Sequence, residues 1–70
     1  MEPTAQFAAN LRKEREARGL SQERLAQAAD LHWTQVGRIE RDAGAPSFKT
    51  IIKLARGLGV PPGKLFDGID

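Results

Sequence analysis

Two short helical segments separated by only two residues constrain the fold of this chain more than any other feature of its sequence. The first segment follows Ser21, a favourable N-cap residue, and ends near Ala29, and the second runs from about His32 to Arg41. Helices joined by so tight a turn must cross closely, and small residues, Ala26 and Ala29, stand where they would meet. The sequence therefore predicts two short helices in contact across a two-residue turn.

Three other segments are predicted to be helical. The first helix runs from Phe7 to Arg18, a stretch rich in strong helix formers, and Gly19 ends it. The fourth follows the N-cap residue Ser47 and runs to about Leu58. Its apolar stripe at helical spacing consists of Phe48, Ile51, Ile52, Ala55 and Leu58. A short fifth helix begins at Pro61 and Pro62, where proline is tolerated.

These segments predict an all-α, compact five-helix domain, because no stretch alternates between apolar and polar residues like a strand. We expect one domain over residues 1–70, with a core from about residue 5 to residue 67. The charged residues of the first helix, Arg12, Lys13, Glu14 and Glu16, are interpreted as a solvated face.

Composition limits how such a chain can be stabilised and where it works. Cysteine is absent and His32 is the single histidine, so disulfides and thiolate zinc sites are excluded and no metal site is expected. A small core leaves oligomerisation as the remaining source of extra stability. No apolar run approaches the roughly 20 residues that span a membrane, and Met1–Thr4 does not begin a signal peptide. We therefore expect a cytoplasmic protein.

The net charge of +2 is unevenly distributed, because ten of the eleven basic residues lie between residues 12 and 56. A basic middle with acidic ends suits a polyanionic partner, although ordinary solubility charge gives the same numbers. The sequence has no nucleophile with a nearby base, no paired carboxylates and no glycine-rich phosphate loop. We therefore expect no catalytic residues, no cofactor and no small-molecule ligand.

The third predicted helix separates apolar from basic residues. Val36 and Ile39 lie on one face, whereas Thr34, Arg38 and Arg41 recur at i, i+4 and i+7 on the opposite face. Gly37 is expected to leave the space beside this outer row free of a side chain. Such a helix can pack on a core and enter a major groove, as the second helix of a helix-turn-helix does.

Four pieces of sequence, in order and in register, resemble the XRE or lambda-repressor-like family of helix-turn-helix domains. They are Leu20-Ser21-Gln22-Glu23-x-Leu25-Ala26, Val36-Gly37-Arg38-Ile39-Glu40-Arg41, Pro46-Ser47-Phe48-x-Thr50-Ile51 and Leu54-Ala55-x-x-Leu58-Gly59-Val60. The resemblance covers roughly residues 5–67 and implies a lambda-repressor-like fold that binds double-stranded DNA. The ending Lys64-Leu65-Phe66 is most similar to the controller proteins of restriction-modification systems.

The resemblance also implies roles for individual residues. The base-reading positions hold Trp33, Thr34, Gln35 and Arg38. Phosphate contacts are implied for Ser21, Gln22, Arg41, Ser47 and Lys49, and Gln22 can instead contact the recognition helix. Arg15 and Glu40 fall where many relatives place an ion pair that joins the first and third helices. Physical chemistry agrees for the bases, since arginine binds guanine O6 and N7, glutamine pairs with adenine, and a threonine methyl group meets that of thymine.

Several residues keep two interpretations. Trp33 either contacts bases or leans against the second helix and supports the recognition helix. His32 is either an ordinary surface residue near a helix start or a phosphate contact or pH sensor. Asp42 stands where the family usually has glycine, and it tolerates a left-handed backbone better than most residues.

A dimer interface is favoured for three apolar residues near the end of the chain, because relatives commonly pair through their last two helices. These residues are Ile52, Phe66 and Ile69. Alternatively, Ile52 and Phe66 belong to the core and Ile69 is disordered.

Two functions remain after these exclusions. The first is a homodimeric transcriptional regulator that reads major-groove half-sites about 34 Å apart on a near-palindromic operator. Such a regulator would be associated with the nucleoid when it is bound to DNA. The second is an antitoxin-like module that uses the same helices to bind a protein. The basic outer face of the third helix favours the first.

Overall fold

The structure, a computed structural model, describes residues 2–70. Met1 lies outside the described residues. It is the first residue of the predicted domain and of the segment Met1–Thr4, in which no signal peptide was expected. Residues 2–70 form four α-helices and one 3-10 helix, and no strand. These are α1 (Pro3–Ala17), α2 (Gln22–Ala29), α3 (Trp33–Glu40), α4 (Phe48–Leu58) and the 3-10 helix (Pro62–Phe66). The predicted all-helical architecture is confirmed.

The prediction of a fifth α-helix is wrong, because the last helix is a 3-10 helix of five residues. Pro61 and Pro62 have no backbone N–H to donate. The bond at the start of this helix joins Lys64 N to Pro61 O at 3.0 Å, which is the i to i+3 spacing of a 3-10 turn. The element is therefore tighter and shorter than the α-helix that its starting prolines suggested.

The ends of the helices follow local chemistry. The Ser21 hydroxyl accepts a hydrogen bond from Arg24 N at 3.0 Å and so caps α2, and the Ser47 hydroxyl accepts from Thr50 N at 3.2 Å and caps α4. Helix α4 ends at Gly59, which has a left-handed backbone with φ of 73°. Helix α2 ends at Asp30, which takes the same conformation at φ 56°. The short α2–α3 turn thus depends on a non-glycine residue in a strained region.

A single core lies between the helices, and every element contributes a fully buried side chain to it. These side chains are Leu11 of α1, Leu25 of α2, Val36 of α3, Leu54 of α4 and Leu65 of the 3-10 helix. Because the same core supports the back of α3 and the ends of the chain, the orientation of α3 depends on all five elements.

Helices α2 and α4 approach each other closely at Gly57. A Cβ atom placed on this glycine would lie 3.0 Å from both the Cβ and the backbone N of Ala29. Real Cβ atoms rarely come so close to other atoms, so a larger residue at position 57 would separate the two helices. The close approach explains a glycine inside a helix, where it is otherwise unfavourable.

The apolar stripe predicted for α4 is not buried at its first residue, since the side chain of Phe48 is 80% exposed. Phe48 is the first residue of α4, and the buried face of that helix passes through Leu54, Ala55 and Leu58 instead. The predicted stripe, spaced i, i+3, i+4, i+7 and i+10 from Phe48, therefore begins about one turn before the residues that pack on the core.

The interpretation of the charges of α1 as a solvated face holds for Lys13 and Glu16 but is wrong for Glu14. Glu14 is buried, and its carboxylate accepts a hydrogen bond from Arg18 Nη1 at 2.8 Å. Arg18 Nε in turn donates to the carbonyl oxygen of Leu58 at 2.8 Å, at the carboxyl end of α4. This chain of contacts ties α1 to α4.

A buried asparagine fastens the end of the chain to α1. Asn10 Nδ2 donates to the carbonyl oxygens of Leu65 at 3.0 Å and Asp67 at 2.7 Å, and its Oδ1 accepts from Gln6 at 2.8 Å. Ile69, which had the alternative interpretation of a disordered residue, is partly buried against the core. The segment after the 3-10 helix is therefore packed down.

Within residues 2–70, no helix combines the length and the apolar character that crossing a membrane requires.

Candidate nucleic-acid interface

The outer face of α3 is exposed along its whole length. Trp33 is 61% exposed, and Thr34, Gln35 and Arg38 are also exposed, whereas Val36 and Ile39 on the opposite side are buried. All four predicted base-reading residues are therefore exposed, and two of them, Gln35 and Arg38, line the same groove. Trp33 does not lie buried against α2, and its ring stacks on that of His32, with centroids 5.8 Å apart.

The start of α3 is capped by its own side chains. His32 Nδ1 accepts from the backbone N of Thr34 at 3.3 Å and lies 2.7 Å from the Thr34 hydroxyl. Gln35 Oε1 accepts from the backbone N of His32 at 3.0 Å. This reciprocal arrangement is a capping box, in which histidine replaces the usual serine or threonine. It fixes the first turn of the helix, where three of the four predicted base-reading residues lie.

A groove of about 300 Å³ separates the outer face of α3 from the loop that leads to α4. Gln35 and Arg38 line it from the helix, and Gly44, Pro46 and Ser47 line it from the loop. Lys49, just beyond the Ser47 cap, is exposed. The predicted phosphate contacts of this loop therefore lie beside the predicted base-reading residues.

The carboxylate of Glu40, at the end of α3, is completely buried and binds side chains from two other helices. Arg15 of α1 forms two hydrogen bonds with it, from Nε to Oε2 at 2.7 Å and from Nη2 to Oε1 at 3.0 Å. Arg12 Nε donates to Oε1 at 3.3 Å, and Gln22 Nε2 of α2 donates to the same oxygen at 3.1 Å. We call these four residues the Glu40 cluster.

The Glu40 cluster also reaches the start of α2, because Arg15 Nη1 donates to the carbonyl oxygen of Leu20 at 2.7 Å. Three helices and the α1–α2 connection therefore meet at one carboxylate. Two-pronged arginine–carboxylate contacts restrict geometry as well as contribute energy. The cluster can thus fix the orientation of α3 relative to α1 and α2.

Burial and hydrogen bonding act in opposite directions on the pKa of Glu40. Burial alone would raise this pKa, because removal from water disfavours the charged form. The hydrogen bonds from Arg15, Gln22 and Arg12, together with the charge of Arg15, outweigh burial and hold the pKa of Glu40 below its ordinary value. The hydrogen bond to Glu40 also raises the pKa of Arg15. The cluster is therefore ionic at neutral pH.

Gly37 was expected to leave free space beside the exposed outer row of α3, and the structure places it elsewhere. It is buried, and a Cβ atom placed on it would lie 3.3 Å from Gln22 Oε1 and 3.0 Å from Arg41 Nη1. The missing side chain leaves room for Gln22 to reach Glu40 rather than for DNA. Gln22 is accordingly half-buried and contacts the recognition helix, while Ser21 and Arg41 are exposed.

Sequence reasoning missed the contribution of Arg12 to the cluster. Its side chain is 51% exposed, yet its Nε reaches Glu40. The spacing contained a signal, since Arg12 and Arg15 stand at i and i+3 on one face of α1. Asp42, after the cluster, has a left-handed backbone with φ of 55°, a conformation that aspartate tolerates better than most residues.

A second surface, which meets the groove beside α3 at Pro46, exposes apolar groups. Phe66 is 42% exposed and packs on Phe7 with ring centroids 5.4 Å apart, while Ile52 and Ile69 are half-buried. An apolar groove of about 180 Å³ lies beside them. It is lined by Pro3, Thr4, Phe7, Ala45, Pro46, Ile51, Phe66 and Ile69. Phe48, at the start of α4, adds a further exposed ring.

Comparisons with known proteins identify similar chains. The family model HTH_3, described as helix-turn-helix, matches residues 11–65. The HTH-type transcriptional regulator SutR of Escherichia coli (strain K12) is 40% identical over 62 residues, which are 87% of this chain and 35% of that protein. The control protein C.SmaI of Serratia marcescens is 40% identical over 59 residues, 84% of this chain and 70% of that protein. The chain thus spans about a third of SutR and a larger share of the control protein.

Solved structures share the fold over nearly the whole chain. The crystal structure of the restriction-modification controller protein C.AhdI from Aeromonas hydrophila has a TM-score of 0.87 and 41% sequence identity, and the match covers 90% of this chain and 96% of that one. A transcriptional regulator from Vibrio cholerae has a TM-score of 0.90 at 31% identity, covering 96% of this chain and 38% of that one.

Proposed function

The chain belongs to the helix-turn-helix family HTH_3, as its sequence motifs indicated, and we propose that it is a sequence-specific, DNA-binding transcriptional regulator. The observation that carries this proposal is the exposed outer face of α3, a helix whose far end is fixed by the buried carboxylate of Glu40. The relatives named as a transcriptional regulator and as control proteins support the same function.

In the proposed complex, α3 lies in the major groove and α2 crosses the DNA backbone. Arg38 is the principal base-reading residue, because a guanidinium can donate two hydrogen bonds to guanine O6 and N7. Thr34 and Trp33 lie one turn nearer the start of the helix and contact neighbouring bases. Direct contacts of this kind discriminate between bases by about 1–3 kcal/mol each.

A second set of residues positions the protein on the phosphate backbone. These residues are Ser21, Arg41, Ser47 and Lys49, all of which are exposed around α3. Gln22 stands apart, because its amide nitrogen is already bound to Glu40, so its effect on DNA binding is exerted mainly through the recognition helix. Phosphate contacts contribute affinity and salt dependence but carry no sequence information.

The regulator acts as a homodimer in this proposal, with the apolar surface of Ile52, Phe66 and Ile69 as the interface. The exposure of Phe66 and the apolar groove beside it support this assignment, as does the small core. Replacing Phe66 by serine should therefore shift the protein toward monomers in sedimentation equilibrium.

A controller role in a restriction-modification system is the more specific form of this proposal. It is supported by the control proteins among the relatives and by the extent of the match with C.AhdI. The operator would then lie near the gene for the protein itself.

The decisive experiment measures binding of the purified protein to DNA from immediately upstream of its own gene, and to shuffled DNA, at two salt concentrations. Arg38→Ala tests the outer face of α3, and Arg56→Ala, on the exposed side of α4, is its matched control. We expect tight binding to the native DNA alone, lost with Arg38→Ala and kept with Arg56→Ala.

Other outcomes distinguish the remaining functions. Equal binding to both DNAs that weakens steeply with salt would indicate a nonspecific DNA-binding protein or a target elsewhere in the genome. No binding at either salt concentration would contradict the proposal and favour a module that binds a protein, with the exposed apolar surface as its docking site.

A further inference from the structure

We infer that Gln35 reads a base edge that offers hydrogen-bond acceptors, guanine in preference to adenine, because its own carbonyl oxygen is used to cap α3. This inference rests on the proposed function and deepens it, since it assigns a base preference to one position of the operator. It replaces the adenine pairing expected from the residue type alone.

The amide of Gln35 points back toward the start of its own helix. The atom that faces the backbone N–H of His32 at 3.0 Å is Oε1, and this assignment follows from chemistry, because an N–H can donate only to the oxygen of an amide. His32 completes the arrangement, since its Nδ1 accepts from the N–H of Thr34 at 3.3 Å. The side-chain acceptors of Gln35 and His32 are therefore both directed at backbone donors of the first turn.

A contact with adenine needs both ends of a glutamine amide on the base edge. The oxygen must accept from adenine N6 while the nitrogen donates to N7. In Gln35 the oxygen faces His32, so the nitrogen is the end that can turn toward the DNA, and it carries two N–H donors. Pairing with adenine would require the amide to turn round and the cap to open.

Guanine suits an amide that presents donors alone. Its major-groove edge carries two adjacent acceptors, O6 and N7, whereas adenine places the N6 donor beside its N7 acceptor. With adenine, a donor of the protein would face a donor of the base, and one of them would stay unpaired. Because α3 has only eight residues, opening its cap to avoid this conflict would disturb the helix that carries Arg38.

The test is selection of binding sites from a randomised DNA pool by the wild-type protein and by two variants. Gln35→Ala removes both the cap and the donors, so the operator position at which it loses base preference is the position that Gln35 reads. At that position we expect guanine over adenine by about tenfold in the wild type, which corresponds to ~1.4 kcal/mol.

Gln35→Glu separates the cap from the base contact. Glutamate is a favourable residue for the third position of a capping box, so the His32 N–H keeps its acceptor and the helix should remain folded. The donors are lost, and a carboxylate accepts from cytosine N4, so we expect the preference to move from guanine to cytosine. Hydrogen exchange of the His32 amide should stay slow in Gln35→Glu and become faster in Gln35→Ala.

Each result supports or overturns the inference. Adenine at the Gln35 position in the wild type, a guanine preference that persists in Gln35→Glu, or no position altered by Gln35→Ala would overturn it. Fast exchange of the His32 amide in the wild type would overturn its structural basis. If the wild type enriches no sequence at all, the proposed function fails as well, whereas enrichment with adenine at this position leaves that function intact.

Discussion

Among single residues, Glu40 has the clearest energetic consequence, because its buried carboxylate joins α1 and α2 to the end of α3. Glu40→Gln would remove the negative charge and leave Arg15, whose side chain is only 12% exposed, without its partner. Loss of one member of a buried pair is strongly destabilising, so we expect the free energy of unfolding to fall by about 3 kcal/mol. Urea unfolding followed by circular dichroism measures this change.

Glu16→Gln is the matched control, because Glu16 also faces Arg15, at 4.0 Å, but its side chain is 63% exposed. An exposed pair contributes little, so this substitution should change stability by less than about 1 kcal/mol. If Glu16→Gln and Glu40→Gln lowered the free energy of unfolding equally, any negative charge near Arg15, rather than the buried cluster, would determine stability.

The contribution of Glu40 to stability should depend on pH in a defined direction. Its pKa is lower in the folded protein than in the unfolded chain, where a glutamate titrates near about 4.3. The contribution is therefore complete above about pH 5 and is lost as the pH falls through the folded pKa. The difference in unfolding free energy between wild type and Glu40→Gln should shrink between pH 7 and pH 3. A constant difference would contradict the ionic state of the cluster.

Residue types and family positions predicted only part of the candidate site. The family resemblance placed Arg15 and Glu40 together, but the convergence of Arg12 and Gln22 on the same carboxylate depends on how α1 and α2 cross α3. Gly37 illustrates the same limit, since its position on the helix suggested a DNA-facing gap and the packing of α2 places Gln22 there instead. Contacts made at the ends of long side chains follow from tertiary packing, which spacing along one helix does not determine.

At the scale of helices, the distance between α2 and α4 is limited most tightly at Gly57, where α4 approaches Ala29 of α2. In an exposed helix, replacing glycine by alanine stabilises by up to about 1 kcal/mol. Here the new Cβ would lie 3.0 Å from Ala29, so we expect Gly57→Ala to lower the unfolding free energy by about 1–3 kcal/mol. Gly63→Ala is the control, because a Cβ there meets no atom within 4 Å. Thermal unfolding of both variants checks the sign, and a stabilised Gly57→Ala would refute the close approach.

The positions of the helices were largely predictable because capping is local. Ser21 and Ser47 cap the helix starts at which the sequence placed them, and Gly59 ends α4 directly after the predicted last residue, Leu58. The start of α1 was missed by four residues, since Pro3–Gln6 lacks a regular apolar stripe and Glu2 makes no side-chain cap. Phe48 shows a different limit, because it belongs to a regular apolar stripe and is still exposed. Helical periodicity identifies a face of the helix but not how far along the helix the core extends.

At the scale of the whole molecule, the proposed functions separate onto two surfaces that share one core. The outer face of α3 and the loop before α4 carry polar and basic groups, whereas Phe66 and the groove beside it are apolar, and the two regions meet at Ala45 and Pro46. A substitution on one surface, away from Ala45 and Pro46, should therefore leave the other function measurable. A dimerisation variant should still bind a single half-site at high protein concentration, and a recognition variant should still dimerise.

Salt dependence distinguishes phosphate contacts from base contacts across this molecule. Lys49→Ala would remove one proposed phosphate contact, so the slope of log affinity against log salt should become shallower by about 0.9 while the ratio of specific to nonspecific affinity stays the same. Arg38→Ala should instead reduce that ratio. Lys64→Ala is the matched control, because it removes an equal, exposed charge from the 3-10 helix. Fluorescence anisotropy titrations at four salt concentrations measure each slope. An equal change in the Lys49 and Lys64 variants would mean that net charge, rather than a contact at the start of α4, attracts the DNA.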